Sequence, residues 1–497
     1  MTTSAARRAG RSSVAPYIEF DRAGDVSYYR QIFLGYRAAI LEGRLRPGQR
    51  LPSTRALASE LGISRLPVLN AFEQLLHEGY VEGRAGSGTY VATSLLDQSG
   101  AAGGSNRRRA INKALVPQPA EQSASVRREP GPFWISMPAL DQFPHKTWSR
   151  LVARHARNTS IGAMVYGEPA GYLPLRIAIA EYLRTARAVS CEANQVQIVS
   201  GSQMALNLCA LALLKPGQEV CVEDPGYPGA RTALGMTGAT VRPIPVDHEG
   251  LQVQTLAAGK RVARIVHVTP SHQYPLGVSM TAARRLELLE WARRNHAWIV
   301  EDDYDSEYRY ASRPLGSLHG MDSNARVIYM GTFSKAVFPA LRIGYIVAPP
   351  ELAKTFASHR EALDLFSPNL YQAVLADFLS QGHFGRHVRR MRAIYAKRRD
   401  ALVAGINRRL GDALTIVNAD AGLHLTALLA PGLDDRDVMR RAAERGISVM
   451  PLSAYYVGRA SRSGLVLGFG GSDEAQLDRS LETLAQVIHS SPRSQPR

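Results

Sequence analysis

From Phe133 onward the chain alternates short apolar runs with longer stretches of helical spacing. The runs are Val196-Gln-Ile-Val199, Glu219-Val-Cys-Val222, Ala263-Arg-Ile-Val-His-Val268, Ala297-Trp-Ile-Val300 and Arg326-Val-Ile-Tyr-Met330. They are too short for buried helices and lack the in/out alternation of a strand with one wet face, so they predict parallel strands covered on both sides. Parallel neighbours need crossover connections, and the stretches between the runs are long enough to supply helices. The expected architecture is a doubly covered α/β sheet. From about Glu351 the pattern turns helical. It ends in a smaller α+β region with strands expected at Gly446-Ile-Ser-Val449 and Gly464-Leu-Val-Leu-Gly-Phe469. The sequence has no internal repeat.

Upstream of this region the organisation is different. After a polar lead-in (residues 1–25), helical spacing runs from Tyr29 to Leu41 and stops at Gly43. A turn-rich crossing segment, Arg44-Leu-Arg-Pro-Gly-Gln-Arg-Leu-Pro52, leads to Ser53, placed as an N-cap for a short helix from Thr54 to Leu61. Gly62-Ile-Ser64 makes a tight turn into a longer helix from about Arg65 to Glu78. Tyr80-Val-Glu82 and Thr89-Tyr-Val91 then alternate around Gly83-Arg-Ala-Gly-Ser-Gly88, which predicts a hairpin with a glycine-rich tip. Three helices and a hairpin in this order form a winged helix-turn-helix spanning 26–94. Residues 95–132, rich in Ser, Gly, Ala, Gln, Pro and Arg, read as a flexible linker to a second domain over 133–497.

The third helix of such a unit presents its N-terminal end to the major groove of double-stranded DNA. Here that end is Ser64-Arg65-Leu66-Pro67. Arg65 has the reach for a guanine edge or a phosphate, Ser64 and Arg55 can fix the backbone, and Gly88 lets the wing lie close. The formal charge of +17 agrees with a polyanionic partner. It does not localise one, because residues 1–130 hold only 18 of the 60 basic side chains. The longest apolar run, Met204 to Leu214, is broken by Asn207 and is too short to span a bilayer. Arg7, Arg8 and Arg11 have no apolar stretch behind them, so no secretory signal is read and a cytoplasmic address is expected. Cys191, Cys209 and Cys221 fit neither a disulfide framework nor a zinc site. They read as small buried hydrophobes, and no metal is expected.

The ends of the predicted strands collect chemistry. Gly201-Ser202-Gln203 opens a helix, where free N–H groups make a natural phosphate cup. Asp224-Pro-Gly-Tyr227 supplies an aromatic ring, and Ile299-Val-Glu-Asp302-Asp-Tyr304-Asp305 leaves its strand with a cluster of acids. Gly331-Thr332-Phe-Ser334-Lys335 offers an amine and two hydroxyls, with Arg342 seven residues further on. Taken singly, each is ordinary: a surface lysine, a solvated acidic loop, a core tyrosine.

Together they resemble known families. Leu51-Pro-Ser-Thr-Arg-Ala-Leu-Ala-Ser-Glu-Leu-Gly-Ile-Ser-Arg65, Ala71-Phe-Glu-Gln-Leu75, Glu78-Gly-Tyr80 and Gly86-Ser-Gly-Thr-Tyr-Val91 are similar to the GntR-family DNA-binding domain. The departure is Leu66-Pro67-Val68-Leu69, where that family usually carries Thr, Val or Arg. From about Phe133 to Ile488 the chain resembles class I/II aminotransferases, and nearly the whole chain resembles the MocR/GabR subfamily of regulators. Thr269-Pro-Ser-His-Gln-Tyr-Pro-Leu-Gly277, Glu301-Asp-Asp-Tyr-Asp-Ser-Glu307 and Gly331-Thr-Phe-Ser-Lys-Ala336 are especially close to the subfamily.

The resemblance implies a pyridoxal 5'-phosphate (PLP)-dependent transferase fold of type I behind the winged helix-turn-helix, and a homodimer. It implies that Lys335 forms the Schiff base, Asp302 faces the pyridinium nitrogen and Tyr304 the phenolate oxygen. Arg342, Thr332, Ser334, Ser202 and Gln203 would serve the phosphate, and Tyr227 the ring. Ordinary aminotransferases place an asparagine where this chain has His272 or Gln273, and either can take that role. They also hold the substrate carboxylate with an arginine whose matching position here is Val466, and the GabR-like pattern places its carboxylate arginines where this chain has Gly471 and Gly229. Arg231, Arg459 and Arg462 are the nearby substitutes. The expected function is transcription regulation in response to PLP or an amine effector. The alternatives are an active aminotransferase with an appended DNA-binding domain, and a regulator with a vestigial cofactor site.

Overall fold

The computed structural model describes residues 21–22, 26–84, 86–93, 131–259, 261–310 and 316–492. It separates into two compact units, Met1–Val126 and Arg127–Arg497. Most of the expected linker and of the polar lead-in lies outside the described residues.

In the N-terminal unit, α1 (Tyr28–Leu41), α2 (Thr54–Leu61) and α3 (Arg65–His77) precede a hairpin of β1 (Val81–Arg84) and β2 (Gly88–Val91). Ser53 caps α2 as expected, its Oγ accepting from the Ala56 N–H at 3.1 Å. Gly62 closes that helix in the left-handed region at φ 64°, which glycine adopts without penalty. One face of each helix is apolar. Ile32, Tyr36, Leu57, Val68, Ala71 and Leu75 form the buried core, with Tyr36 edge-on to Phe72 at 5.3 Å. The wing pairs Val81 with Val91 and Arg84 with Gly88 in antiparallel register.

The C-terminal unit is organised on an eight-stranded sheet in the order β3-β10-β9-β8-β7-β4-β5-β6. The strands are β3 (Val196–Val199), β4 (Glu219–Asp224), β5 (Thr240–Asp247), β6 (Gly250–Leu251), β7 (Ile265–Val268), β8 (Trp298–Asp303), β9 (Val327–Thr332) and β10 (Gly344–Val347). Strands β5, β4, β7, β8 and β9 run parallel, and β10 runs antiparallel to both β9 and β3. The two-sided burial read from the sequence is visible residue by residue. Val220 and Val222 belong to one core cluster and Cys221 to another, as do Trp298 and Val300 against Ile299. Each such side chain stabilises the fold by about 1.5–3 kcal/mol on burial, which requires helices on both faces.

A smaller antiparallel sheet follows, in the order β11-β12-β14-β13, from β11 (Leu414–Asn418), β12 (His424–Leu429), β13 (Met450–Pro451) and β14 (Gly464–Gly468). The strand expected at Gly446–Val449 does not form. Gly446 instead turns at φ 75°, and the Gly446 and Ile447 N–H groups bond back to Ala443 and Ala442 carbonyls, closing the helix Asp435–Glu444. Only Met450 and Pro451 are left to pair, with Val466 and Leu465. All three cysteines are free and buried, and burial pushes the thiol of Cys191 up to about 11 and those of Cys209 and Cys221 up to about 12. Among the described residues, no helix is long and apolar enough to cross a membrane.

Candidate functional site

Parallel strands that all end at one edge of a sheet deliver their following loops to one place. The acids Glu301, Asp302 and Asp303 close β8, and strand alternation sends them to opposite faces. Glu301 accepts the backbone N–H groups of Leu318 and His319 at 2.9 and 2.8 Å, and burial pushes its carboxyl up to about 7. Asp303 pairs with Arg187 at 2.7 Å. Asp302, on the other face, lies 3.5 Å from the His267 ring, and its buried Oδ1 has no hydrogen-bond partner among the described residues. An unpaired buried carboxylate oxygen is costly unless something absent from the bare chain satisfies it.

Lys335 follows β9, close enough to Asp302, Asp305 and Arg342 to interact electrostatically with all three. Burial is the largest influence on it and lowers its pKa to about 8, with the two aspartates opposing and Arg342 reinforcing the shift. Thr332 and Ser334 lie on the same turn, joined by a 3.0 Å hydroxyl contact, with the Ser334 N–H donating to Thr332 Oγ1. Arg342 is held in the left-handed region at φ 53°, its Nη2 donating to Ser200 O at 2.7 Å. This sets the guanidinium beside Gly201, where a Cβ would come within 3.1 Å of it. Gly201 precedes the helix Ser202–Leu213. Arg342 and the free N–H groups of that helix start therefore converge on one spot suited to an anion.

Two expected contacts are re-aimed. Gln203 turns its side chain under Tyr227, donating to Gly229 O at 2.9 Å while its Oε1 lies 3.4 Å from the Tyr227 hydroxyl, and does not point toward an anion. Tyr304 donates its hydroxyl to the His272 carbonyl at 3.0 Å and lies equally far from His272 Nδ1.

His272 and Gln273 differ in their partners. Gln273 is engaged both in its own loop and with the turn after β4, donating to the Tyr274 and Pro225 carbonyls and accepting from the Leu276 N–H. His272 instead faces Tyr304 and Asp305, with Asp305 Oδ1 at 3.0 Å from Nδ1, and the His424 ring at 5.1 Å. Asp305 and His424 were not foreseen as site residues. Burial drives His424 down to about 3, with His272 and Lys335 as like-charge neighbours and its contact to Pro275 O opposing. Asp305 stood in a segment singled out for its acids, but nothing marked His424 among the apolar residues of β12. The three side chains lie within 4.8 Å of one another. His272 and Asp305 are hydrogen-bonded to each other, while His424 bonds to Pro275 O and meets His272 only ring to ring.

The positions matching carboxylate-binding arginines are occupied by small or apolar residues in tight surroundings. Val466 is buried in β14 among Leu276, Tyr274 and Tyr455. A Cβ on Gly471 would meet Met137 Cγ at 3.2 Å, and one on Gly229 would meet Tyr227 Cζ at 2.5 Å. Arg231 and Arg462 both turn to Tyr456, the first to its carbonyl and the second to its hydroxyl, each at 3.0 Å. No hydrogen bond or ion pair fixes Arg459 among the described residues.

In the N-terminal unit Arg55, Ser64, Arg65 and Gly88 are all exposed. Arg65 Nε donates to Thr54 Oγ1 at 3.1 Å, steadying the guanidinium at the tip of α3. Ser64 is the N-cap of α3 but makes no side-chain cap bond. The reason is Pro67: at the third helical position it removes one of the N–H groups that a capping serine ordinarily receives, leaving the hydroxyl uncommitted. Arg50 was overlooked. Its guanidinium lies against Gly88, 3.3 Å from where a Cβ would stand, which puts a charge at the base of the wing.

Comparison with known proteins places these two sites in context. The family described as Aminotransferase class I and II matches residues 141–484, and that described as Bacterial regulatory proteins, gntR family, matches 28–91. The probable rhizopine catabolism regulatory protein MocR of Rhizobium meliloti is 41% identical over 476 residues, covering 94% of this chain and 95% of its own. The HTH-type pyridoxine biosynthesis transcriptional regulator PdxR of Corynebacterium glutamicum is 32% identical, covering 91% of this chain and 94% of its own. Among solved structures, the kynurenine aminotransferase of Pyrococcus horikoshii superposes with a TM-score of 0.70 at 28% identity. That match covers 77% of this chain and 97% of the enzyme.

Proposed function

The chain belongs to the MocR-type regulators, DNA-binding transcription regulators that join a gntR-family domain to an aminotransferase class I and II domain, and from that premise we propose that its C-terminal unit is a PLP-dependent sensor. The observation that carries the reading is Asp302 Oδ1, a buried acceptor with no partner among the described residues, beside the half-buried Lys335. A pyridine N–H is the donor such an oxygen needs. Arg342 and the helix start at Ser202 fit the phosphate, with Thr332 and Ser334 beside them, and Tyr227 fits the ring. PLP, when bound, supplies an electron-withdrawing ring and an aldehyde that lysine captures covalently.

The chain's own residues then do the sensing. Asp302 would hold a proton on the ring nitrogen. Lys335 would supply the amine that condenses with the aldehyde, releasing water, and its depressed pKa keeps a working fraction of it neutral. An effector amine competes with Lys335 for the same position, so Lys335 held and Lys335 released are the two states to be told apart. Coupling between such states is typically worth about 1–3 kcal/mol, or about 5- to 150-fold in DNA affinity. His272, hydrogen-bonded to Asp305, positions Tyr304 at the mouth of the site. Since Val466, Gly229 and Gly471 offer no guanidinium, the effector is PLP itself or an amine without an α-carboxylate. The same positions disfavour ordinary amino-acid transamination.

We assign residues 26–94 to the DNA-binding domain, 95–132 to a linker and 133–497 to the sensor, acting in the cytoplasm. A homodimer is supported by the apolar stretch from Ile161 to Tyr166, in which those two residues are 83% and 82% exposed. A patch of that kind calls for a covering surface. The test is the absorbance spectrum of the purified full chain with PLP. A long-wavelength band absent from free PLP, which borohydride abolishes while fixing the cofactor to Lys335, is expected. A spectrum indistinguishable from free PLP would overturn the sensor reading and leave the DNA-binding function standing.

A further inference from the structure

Helix α3 turns two uncommitted side chains of unlike chemistry to the same outer face. Leu66, in its first turn, is 64% exposed, among the most exposed large apolar side chains of the described residues. Asn70 is four residues on, exposed, and makes no hydrogen bond among the described residues. Residues four apart on a helix stand one above the other with Cβ atoms about 5–6 Å apart. The opposite face is committed to the core through Val68, Ala71, Phe72 and Leu75. A single exposed leucine is unremarkable on a protein surface. This one adjoins Arg65, the free hydroxyl of Ser64 and the positive end of a helix dipole, all of which draw a phosphate backbone toward the same tip.

We propose that Leu66 and Asn70 are the base-reading pair of this regulator, and that they read an A·T-containing step in each half-site. Leu66 offers only methyl groups, and the thymine C5-methyl is the one apolar feature that bases present in the major groove. Asn70 offers an acceptor and a donor side by side, the complement of adenine N6 and N7. Bases stack about 3.4 Å apart along each strand, so side chains 5–6 Å apart reach positions one or two base pairs apart. Arg65 and Ser64 then set register on the phosphates or an adjoining guanine, and Leu66 and Asn70 supply the rest of the sequence preference. The departure Leu66-Pro67 from the usual residues of the family thus has two effects at one site. Pro67 frees the Ser64 hydroxyl for the backbone, and Leu66 replaces a polar reader by an apolar one.

The experiment uses the full-length protein. Its preferred duplex is first selected from random sequences, and each thymine of a half-site is then replaced in turn by deoxyuridine, which removes only the methyl. At one thymine the parent protein should lose about 4-fold in affinity, and Leu66→Ala should bind the methylated and unmethylated duplexes alike. Replacing the neighbouring adenine by 7-deazaadenine should weaken the parent by about 5-fold or more and leave Asn70→Ala unmoved. Because both side chains are exposed, the variants should melt with the parent, and the base-analogue scan of the parent stands without them. The proposal is overturned if no thymine is methyl-sensitive, if Leu66→Ala keeps the parent's sensitivity, or if selection enriches no A·T step. Failure to enrich any sequence would overturn the DNA-reading assignment along with it.

Discussion

The tip of α3 and the cleft around Lys335 are both built from polar groups at the ends of regular elements, yet they treat water in opposite ways. At the tip, Arg55, Ser64, Arg65 and Asn70 are exposed, so their binding energy comes from exchanging solvent and counterions for a partner. In the cleft, Asp302, His272 and His424 are buried and Lys335 half-buried, and desolvation lowers the pKa of both Lys335 and His424. One site should therefore answer to salt and the other to pH. The experiments that follow attempt to break that division, beginning with the largest effect.

Lys335→Ala should eliminate the borohydride-sensitive band while leaving selected DNA bound, as read by spectroscopy and by fluorescence anisotropy. Loss of both together would mean that the two units are one cooperative structure. Asp302→Asn should weaken retention of PLP about 10- to 150-fold, the value of a hydrogen bond to a charged group, measured by equilibrium dialysis. Charge reversal at an exposed acid such as Glu482 should have no such effect. The rate at which cofactor-free protein captures PLP should fall about tenfold per pH unit below about 8, because Lys335 must first lose its proton. A lysine of ordinary pKa would shift that profile upward. The same depression means that the unfolded chain holds the proton more tightly, so the cofactor-free fold should gain stability as pH rises through about 8 toward the ordinary lysine value.

DNA affinity should show none of this pH dependence and should fall steeply with salt. Arg50→Ala should reduce the slope of log affinity against log salt by about 1 if the guanidinium at the wing meets a phosphate. The smallest effect separates two serines with the same place in a helix. Ser53→Ala should destabilise the N-terminal unit by about 1 kcal/mol, since it removes a formed cap. Ser64→Ala should leave its thermal unfolding unchanged and weaken DNA binding only. Equal destabilisation by both would show that Ser64 caps α3 after all.

How far the sequence foretold these sites depended on whether the determining interaction is local. Helices α1 to α3, the wing and the buried parallel strands follow from periodicity and turn chemistry within a few residues. So does Lys335, which sits in a distinctive run. The failure at Gly446–Val449 came from the same source: an apolar run was read as a strand when its first N–H groups were needed to close the preceding helix. The roles of His272 and Gln273 were undecidable because they differ only in partners supplied by other loops. His424 enters the cleft from β12 of the smaller sheet, and no local pattern distinguishes a buried histidine that meets Lys335 from one that merely fills a core. The acid cluster at 301–303 was legible as a cluster. Its division of labour was not, although the period of a strand determines it once β8 is known.

The contact between Gly229 and Tyr227 bears on how this regulator can change its ligand. Any side chain at 229 would start 2.5 Å from Tyr227 Cζ where the ring now stands, so the tyrosine must shift to admit an arginine there. Moving the tyrosine alone would surrender a wall of the cleft with no gain. The conformation at 227 and the residue at 229 are therefore coupled. Ligand preference at this cleft is then inherited as a linked pair. Directed evolution toward a carboxylate-bearing effector should randomise 227 and 229 in the same library.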